Sequence, residues 1–106
     1  MKLWIDDCRP APEGYIWIKS TNEALRFIVN HINEIEEIAL DHDAGDYVDC
    51  GGDYINILNE LERLSQRLSS AFTEYKFSIH TANPVGAANM RRIIQKNGWR
   101  EVKWNM

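Results

Sequence analysis

The hydrophobic positions of this chain change period several times along its length. Leu3-Trp4-Ile5, Tyr15-Ile16-Trp17-Ile18 and Glu37-Ile38-Ala39-Leu40 are short apolar runs, and Tyr75-Lys76-Phe77-Ser78-Ile79-His80 alternates apolar with polar. Runs of that length and content read as strands. Trp99-Arg100-Glu101-Val102-Lys103-Trp104 alternates in the same way and predicts a fifth strand. Between the strands the spacing becomes helical. Ser20 with Glu23 is a capping-box pair, and Ala24, Leu25, Ile28, Val29 and Ile32 behind it predict a helix from about 21 to 32. From Asp53 the set Ile57, Leu58, Leu61, Leu64 and Leu68 keeps one apolar face over about four turns. Asn83-Pro84 forms an N-cap and N1 pair, Ala87, Met90, Ile93 and Ile94 form a stripe, and Gly98 suits a C′ position. That helix is expected from about 84 to 97. Cys8–Gly14, with its two prolines, is loop.

Strands and helices in the order ββαβαβαβ predict an α/β domain with a mainly parallel, helix-covered sheet. In such a sheet ligands bind beyond the carboxyl ends of the strands. Those ends carry the reactive groups here: Asp6-Asp7 after the first strand, Asp41-His42-Asp43 after the third, His80-Thr81 after the fourth. Each group directly follows an apolar run, which favours one shared site over independent caps and turns. Asp46 serves equally well as an Asx-turn residue near Gly45. A calcium loop counted from Asp41 fails, because its fifth and twelfth positions are Gly45 and Gly52. His31 reads as a surface residue near a helix end, and Trp4, Trp17, Trp99 and Trp104 as core.

Composition narrows the choice. At 106 residues the chain fits one domain, taken as 1–106. Met1-Lys2-Leu3-Trp4-Ile5-Asp6-Asp7 contains no signal-peptide core, and no stretch approaches the roughly 20 apolar residues of a membrane span. The expected location is the cytoplasm, without a membrane partner. Cys8 and Cys50 lack CxxC spacing and read as reduced thiols. A net charge of -4 argues against broad nucleic-acid binding and leaves room for a protein partner. Residues 1 to 75 hold six Lys/Arg against fifteen Asp/Glu, while residues 76 to 106 hold six against Glu101 alone. That asymmetry places cations in the same fold as an acidic rim.

Leu3-Trp4-Ile5-Asp6-Asp7-Cys8-Arg9-Pro10, Leu40-Asp41-His42-Asp43 with Gly45, Gly52-Asp53-Tyr54, and Ile79-His80-Thr81-Ala82-Asn83-Pro84-Val85-Gly86 together resemble the cyclic-phosphate processing receiver domain family over nearly the whole chain. The resemblance implies a flavodoxin-like, receiver-like fold, a five-stranded, mainly parallel sheet with order 2-1-3-4-5, from which this sequence departs in having the first helix reduced to a Pro-containing loop. It places Asp6 and Asp7 on the receiver's metal-binding acids, Asp41 on its phosphoacceptor, and Thr81-Ala82 on its switch Thr/Ser-Ala. The receiver's Lys-Pro after the last strand is missing here, with only Lys103 nearby. That loss weakens a phosphorelay role. His42 and His80 are additions to the ordinary receiver pattern.

The expected activity is that of a phosphoesterase on a cyclic phosphate, nucleotide or RNA-end derived. His42 and His80 serve as base and acid with Asp41, because imidazole titrates near neutral pH. Thr81, Asn83 and the amides that follow bind substrate. Asp6, Asp7, Asp41 and Asp43 form an oxygen-rich set suited to a divalent metal, Mg²⁺ or Mn²⁺. The alternatives are a non-hydrolytic receiver-like signalling module that accepts phosphate on Asp41, and a plain interaction domain.

Overall fold

Each apolar run becomes a parallel strand: β1 (Lys2–Ile5), β2 (Tyr15–Ile18), β3 (Glu37–Leu40), β4 (Lys76–Ile79) and β5 (Arg100–Glu101), in the order β2-β1-β3-β4-β5. The structure, a computed structural model, describes residues 1–67 and 71–104. The helical stripes become α1 (Thr21–Asn30), α2 (Ile55–Ser65) and α3 (Pro84–Lys96), with short 3-10 turns at Gly45–Tyr47 and Ala71–Glu74. Leu68, the last position of the second stripe, lies outside the described residues. The fold is receiver-like and flavodoxin-like, and no helix joins β1 to β2.

The helix ends follow their caps. Ser20 Oγ accepts the Glu23 N–H at 3.1 Å, and Asn83 Oδ1 accepts that of Gly86 at 2.9 Å. α1 stops two residues before the expected 32, where the His31 N–H tightens onto the Ile28 carbonyl. Asp53, expected at the start of α2, stays outside the helix and its carboxylate accepts the Ala44 N–H at 2.9 Å.

Crossover handedness divides the sheet's two faces unequally. Moving from β2 to β3, β3 to β4 and β4 to β5 is movement in one direction across the sheet, so right-handed crossovers put all of those helices on one face. Leu3, Ile5, Ile18, Ile38, Leu40 and Phe77 point that way and join Ala24, Ile28, Leu58, Leu61, Met90 and Ile94 in one apolar core. Only the β1–β2 connection runs in the opposite direction, and it is the loop. The second face is therefore closed by residues 6–14 and by Trp104. Trp4 Nε1–H donates to the Arg9 carbonyl at 2.9 Å, and the Trp104 ring packs 4.9 Å from Trp4 and 5.5 Å from Tyr15.

Two expectations need correction here. β5 spans Arg100–Glu101 rather than 99–104: one further ladder bond joins the Val102 N–H to Phe77, and the chain then brings Trp104 over the sheet. Trp17 is not core. It lies on the edge strand β2 and is 37% exposed, because neither a helix nor a further strand covers that edge.

Candidate active site

The parallel ladder continues one residue past the strands. The Asp6, Asp41 and His80 N–H groups bond to the carbonyls of Ile18, Ile5 and Leu40. Asp6, Asp41 and His80 thus share a row, two residues on from Trp4, Ala39 and Ser78. Strand alternation points their side chains away from the helices. Ala39, on the strand between β1 and β4, contributes only a methyl group, so Trp4 and His80 meet above it with ring centroids 3.7 Å apart and planes at 5°. A larger residue at position 39 would separate them.

Asp6 is fully buried and bonded through both oxygens, with acceptor capacity left for a further partner: Oδ1 accepts the Cys8 and Arg9 N–H groups, each at 2.9 Å, and Oδ2 meets His80 Nε2 at 3.0 Å. Burial lowers the His80 pKa from its ordinary 6.5, against the opposing pull of the Asp6 hydrogen bond and charge. That direction favours the neutral imidazole, and a proton on Nε2 would satisfy the facing carboxylate. Arg9 closes the arrangement by donating from Nη1 to the His80 carbonyl at 2.8 Å. His80 Nδ1, Ser78 Oγ and Trp104 Nε1, all associated with this helix-free face, are buried without a partner among the described residues.

Asp7 and Asp41 are half-buried beside Asp6, and one ligand atom from each of the three lies within 4.8 Å of the others. The Asp7 pKa is raised, chiefly by burial, with the Asp6, Asp41 and Asp46 carboxylates adding to it against a backbone hydrogen bond. Such mutual repulsion favours a cation among them. Gly45, at φ 56°, presses against the Asp7 carboxylate so closely that a Cβ there would collide with it. Behind the trio, burial and then the Asp7, Asp6, Asp41 and Asp53 charges raise the Tyr54 pKa. Its phenol stays protonated and donates to the Lys19 carbonyl at 2.7 Å.

A second cluster lies one residue further along the chain. His42 Nδ1 is 2.7 Å from Asp43 Oδ1, and His42, Asp43 and Asp53 also bring ligand atoms within 4.8 Å of one another. The first turn of α3 crosses the imidazole at Gly86, where a Cβ would lie 2.5 Å from His42 Cγ. Glycine there allows the helix to lie on the ring.

The cyclic-phosphate processing receiver domain family matches residues 1–96. The chain belongs to that family. Comparison with curated proteins and with solved structures gives no match. Its acidic clusters fit the metal expected of a receiver-like rim, since three hard carboxylate ligands converge there.

The residues singled out in the sequence fall into three groups. Asp6, Asp7 and Asp41 converge, and His80 is tied to them through Asp6. Asp43 joins His42 and Asp53 in the neighbouring cluster. Thr81 and Asn83 mainly organise the turn into α3: Thr81 Oγ1 accepts the Asn83 N–H at 3.2 Å, and Asn83 engages Gly86 and Ala87. His80 is not a side chain outside the core; at 8% exposure it is buried among aromatic rings. Asp53 was legible only as the start of a helix. Its distance in sequence from His42 concealed the contact. Cys8 and Cys50 are free thiols at the surface, and no helix among the described residues is long and apolar enough to cross a membrane.

Proposed function

We propose that this rim hydrolyses a cyclic phosphodiester to a phosphomonoester. The observation that carries the reading is the convergence of Asp6, Asp7 and Asp41 beside a separate His42–Asp43 pair in a member of the cyclic-phosphate processing family. Asp43 accepts from Nδ1–H and orients the ring, so His42 Nε2 presents its lone pair as general base. Water gives a proton to Nε2 and its oxygen forms a bond to phosphorus. The ring P–O bond breaks, and the leaving alkoxide takes a proton from solvent at the open rim.

Asp6, Asp7 and Asp41 would hold a divalent cation, Mg²⁺ or Mn²⁺ by the hardness of the donors. When bound, that ion supplies charge neutralisation and Lewis acidity. His80 is assigned a positioning role, because its Nε2 is committed to Asp6 and its ring to Trp4. The half-buried Asp41 beside Asp6 and Asp7 also supports a second reading, phosphate acceptance on Asp41.

Phosphorus NMR of 2′,3′-cyclic nucleotides with the protein, with and without Mg²⁺ or Mn²⁺, tests hydrolysis directly. His42→Ala is expected to slow it by about 10²- to 10⁴-fold in protein that a melting curve shows to be folded. A His42→Ala protein as fast as the parent defeats the hydrolytic reading. Phosphate transfer to Asp41 from a small donor, with no cyclic-phosphate turnover, selects the acceptor reading.

A further inference from the structure

The edge of the sheet next to the rim carries a cleft of about 380 Å³ lined by Trp17, Lys19, Ser20, Glu23 and Tyr47. Its volume falls at the low end of small-molecule pockets, which run from about 300 to 1,000 Å³. Both of its aromatic walls are fastened to the rim. Trp17 Nε1–H donates to the Asp6 carbonyl at 2.7 Å, so the exposed indole is held to the segment that carries Asp6 and Asp7. Tyr47 ends the 3-10 turn that begins at Gly45, and Gly45 rests against the Asp7 carboxylate. An indole that is 37% exposed yet hydrogen-bonded along its edge is a rigid flat surface in contact with solvent.

The polar groups around it are of both signs. Lys19 Nζ lies over the Trp17 ring, 4.4 Å from its centroid, so a cation in the acid-rich half of the chain sits on one face of the indole, and a base takes that face by displacing its flexible stem. Glu23 is an exposed carboxylate on the first turn of α1, with no basic residue among the other lining groups except Lys19. A saturated alkyl group would use the ring surface but leave the carboxylate without a donor. A nucleobase uses both, because its π face stacks on indole or phenol and its N–H edges donate to a carboxylate.

We infer that this cleft is a nucleobase subsite, so that the substrate class is a nucleoside cyclic phosphate whose base lies between Trp17 and Tyr47 while its phosphate lies at the Asp6–Asp7–Asp41 rim. The inference rests on the phosphate reading of the rim for its second half only. Calorimetric titration in Mg²⁺, with His42→Ala as the parent so that the probes are not turned over, compares three probes: a 2′,3′-cyclic nucleotide, the matching nucleoside, and ethylene phosphate, a five-membered cyclic phosphate without a base. The cyclic nucleotide is expected to bind about 10- to 100-fold more tightly than ethylene phosphate, the range that stacking of one base supplies. Trp17→Ala, and separately Tyr47→Ala, should reduce that ratio to within about threefold. The ratio corrects for any general weakening of the rim, and a melting curve establishes that each variant is folded.

A ratio near one in the parent protein, or a ratio unchanged in both variants, overturns the base subsite. Ethylene phosphate binding with no gain from the base keeps the rim reading and removes the subsite. Nucleoside binding that is lost in Trp17→Ala, with no binding of ethylene phosphate, upholds the subsite and removes the rim reading. Failure of all three probes to bind removes both.

Discussion

The two faces of the sheet are closed in different ways. On one, Leu3, Ile5, Ile38, Leu40 and Phe77 meet the apolar stripes of three helices. On the other, Trp4, Ala39, Ser78 and His80 meet a loop and Trp104, with polar atoms enclosed among the rings. The helix face supplies contiguous apolar burial, the main favourable term in folding. The opposite face trades that for a buried Asp6–His80 pair and three buried polar atoms that lack partners among the described residues. Unpaired buried groups cost stability, so this face gives up packing where it supports Asp6. The difference follows from handedness: the β1–β2 connection alone crosses this face, and it contains no helix.

Matched truncations on the two faces give the largest expected effect and the most direct way to break this contrast. Trp4→Ala and Phe77→Ala each remove a buried aromatic ring and are expected to lower unfolding free energy by about 3–5 kcal/mol in denaturant titrations. Only Trp4→Ala should also weaken divalent binding, because His80 then loses the ring that orients it toward Asp6. Equal loss of divalent affinity in both variants would show that support of the carboxylate trio is not confined to the helix-free face.

A smaller effect sharpens the role of the rim itself. Adding Mg²⁺ or Mn²⁺ to chelated protein at 100 times its dissociation constant should stabilise the fold by about 2.7 kcal/mol, read as a raised melting temperature. Asp41→Asn should lose most of that gain while leaving the cation-free stability unchanged or increased, since it removes one of the carboxylates that raise the Asp7 pKa. An equal thermal shift in parent and Asp41→Asn would place the cation elsewhere.

The smallest effect is the pH dependence of the helix-free face. The folded state lowers the His80 pKa below its ordinary 6.5, so the unfolded chain binds this proton more readily. The stability from His80 is fully present above 6.5 and is lost as pH falls through the lowered folded value. Denaturant midpoints of chelated protein between pH 7.5 and pH 5 should therefore fall more steeply in the parent than in His80→Gln. Parallel curves would mean that His80 titrates as it does in the unfolded chain.

The periodicities of the apolar residues determined the strands and the helices, because local spacing is written in sequence, whereas the sheet order 2-1-3-4-5 was implied by the resemblance of the whole chain to a receiver-like family. The placement of Asp6, Asp41 and His80 at strand ends was equally legible, since each follows a buried run. Which partner each group takes was not. Whether His80 turns to solvent or to Asp6 depends on Ala39 being small enough for Trp4 and His80 to meet across the strand between them. The contact of Asp53 with His42 depends on how the Ala44–Gly52 connection folds back. Trp17 reads as core by composition, but lies at an uncovered edge that only the arrangement of whole elements creates. Strand and helix identity is a short-range property of the chain; burial, pairing and pKa belong to neighbours supplied by distant segments, and the tertiary structure decides them.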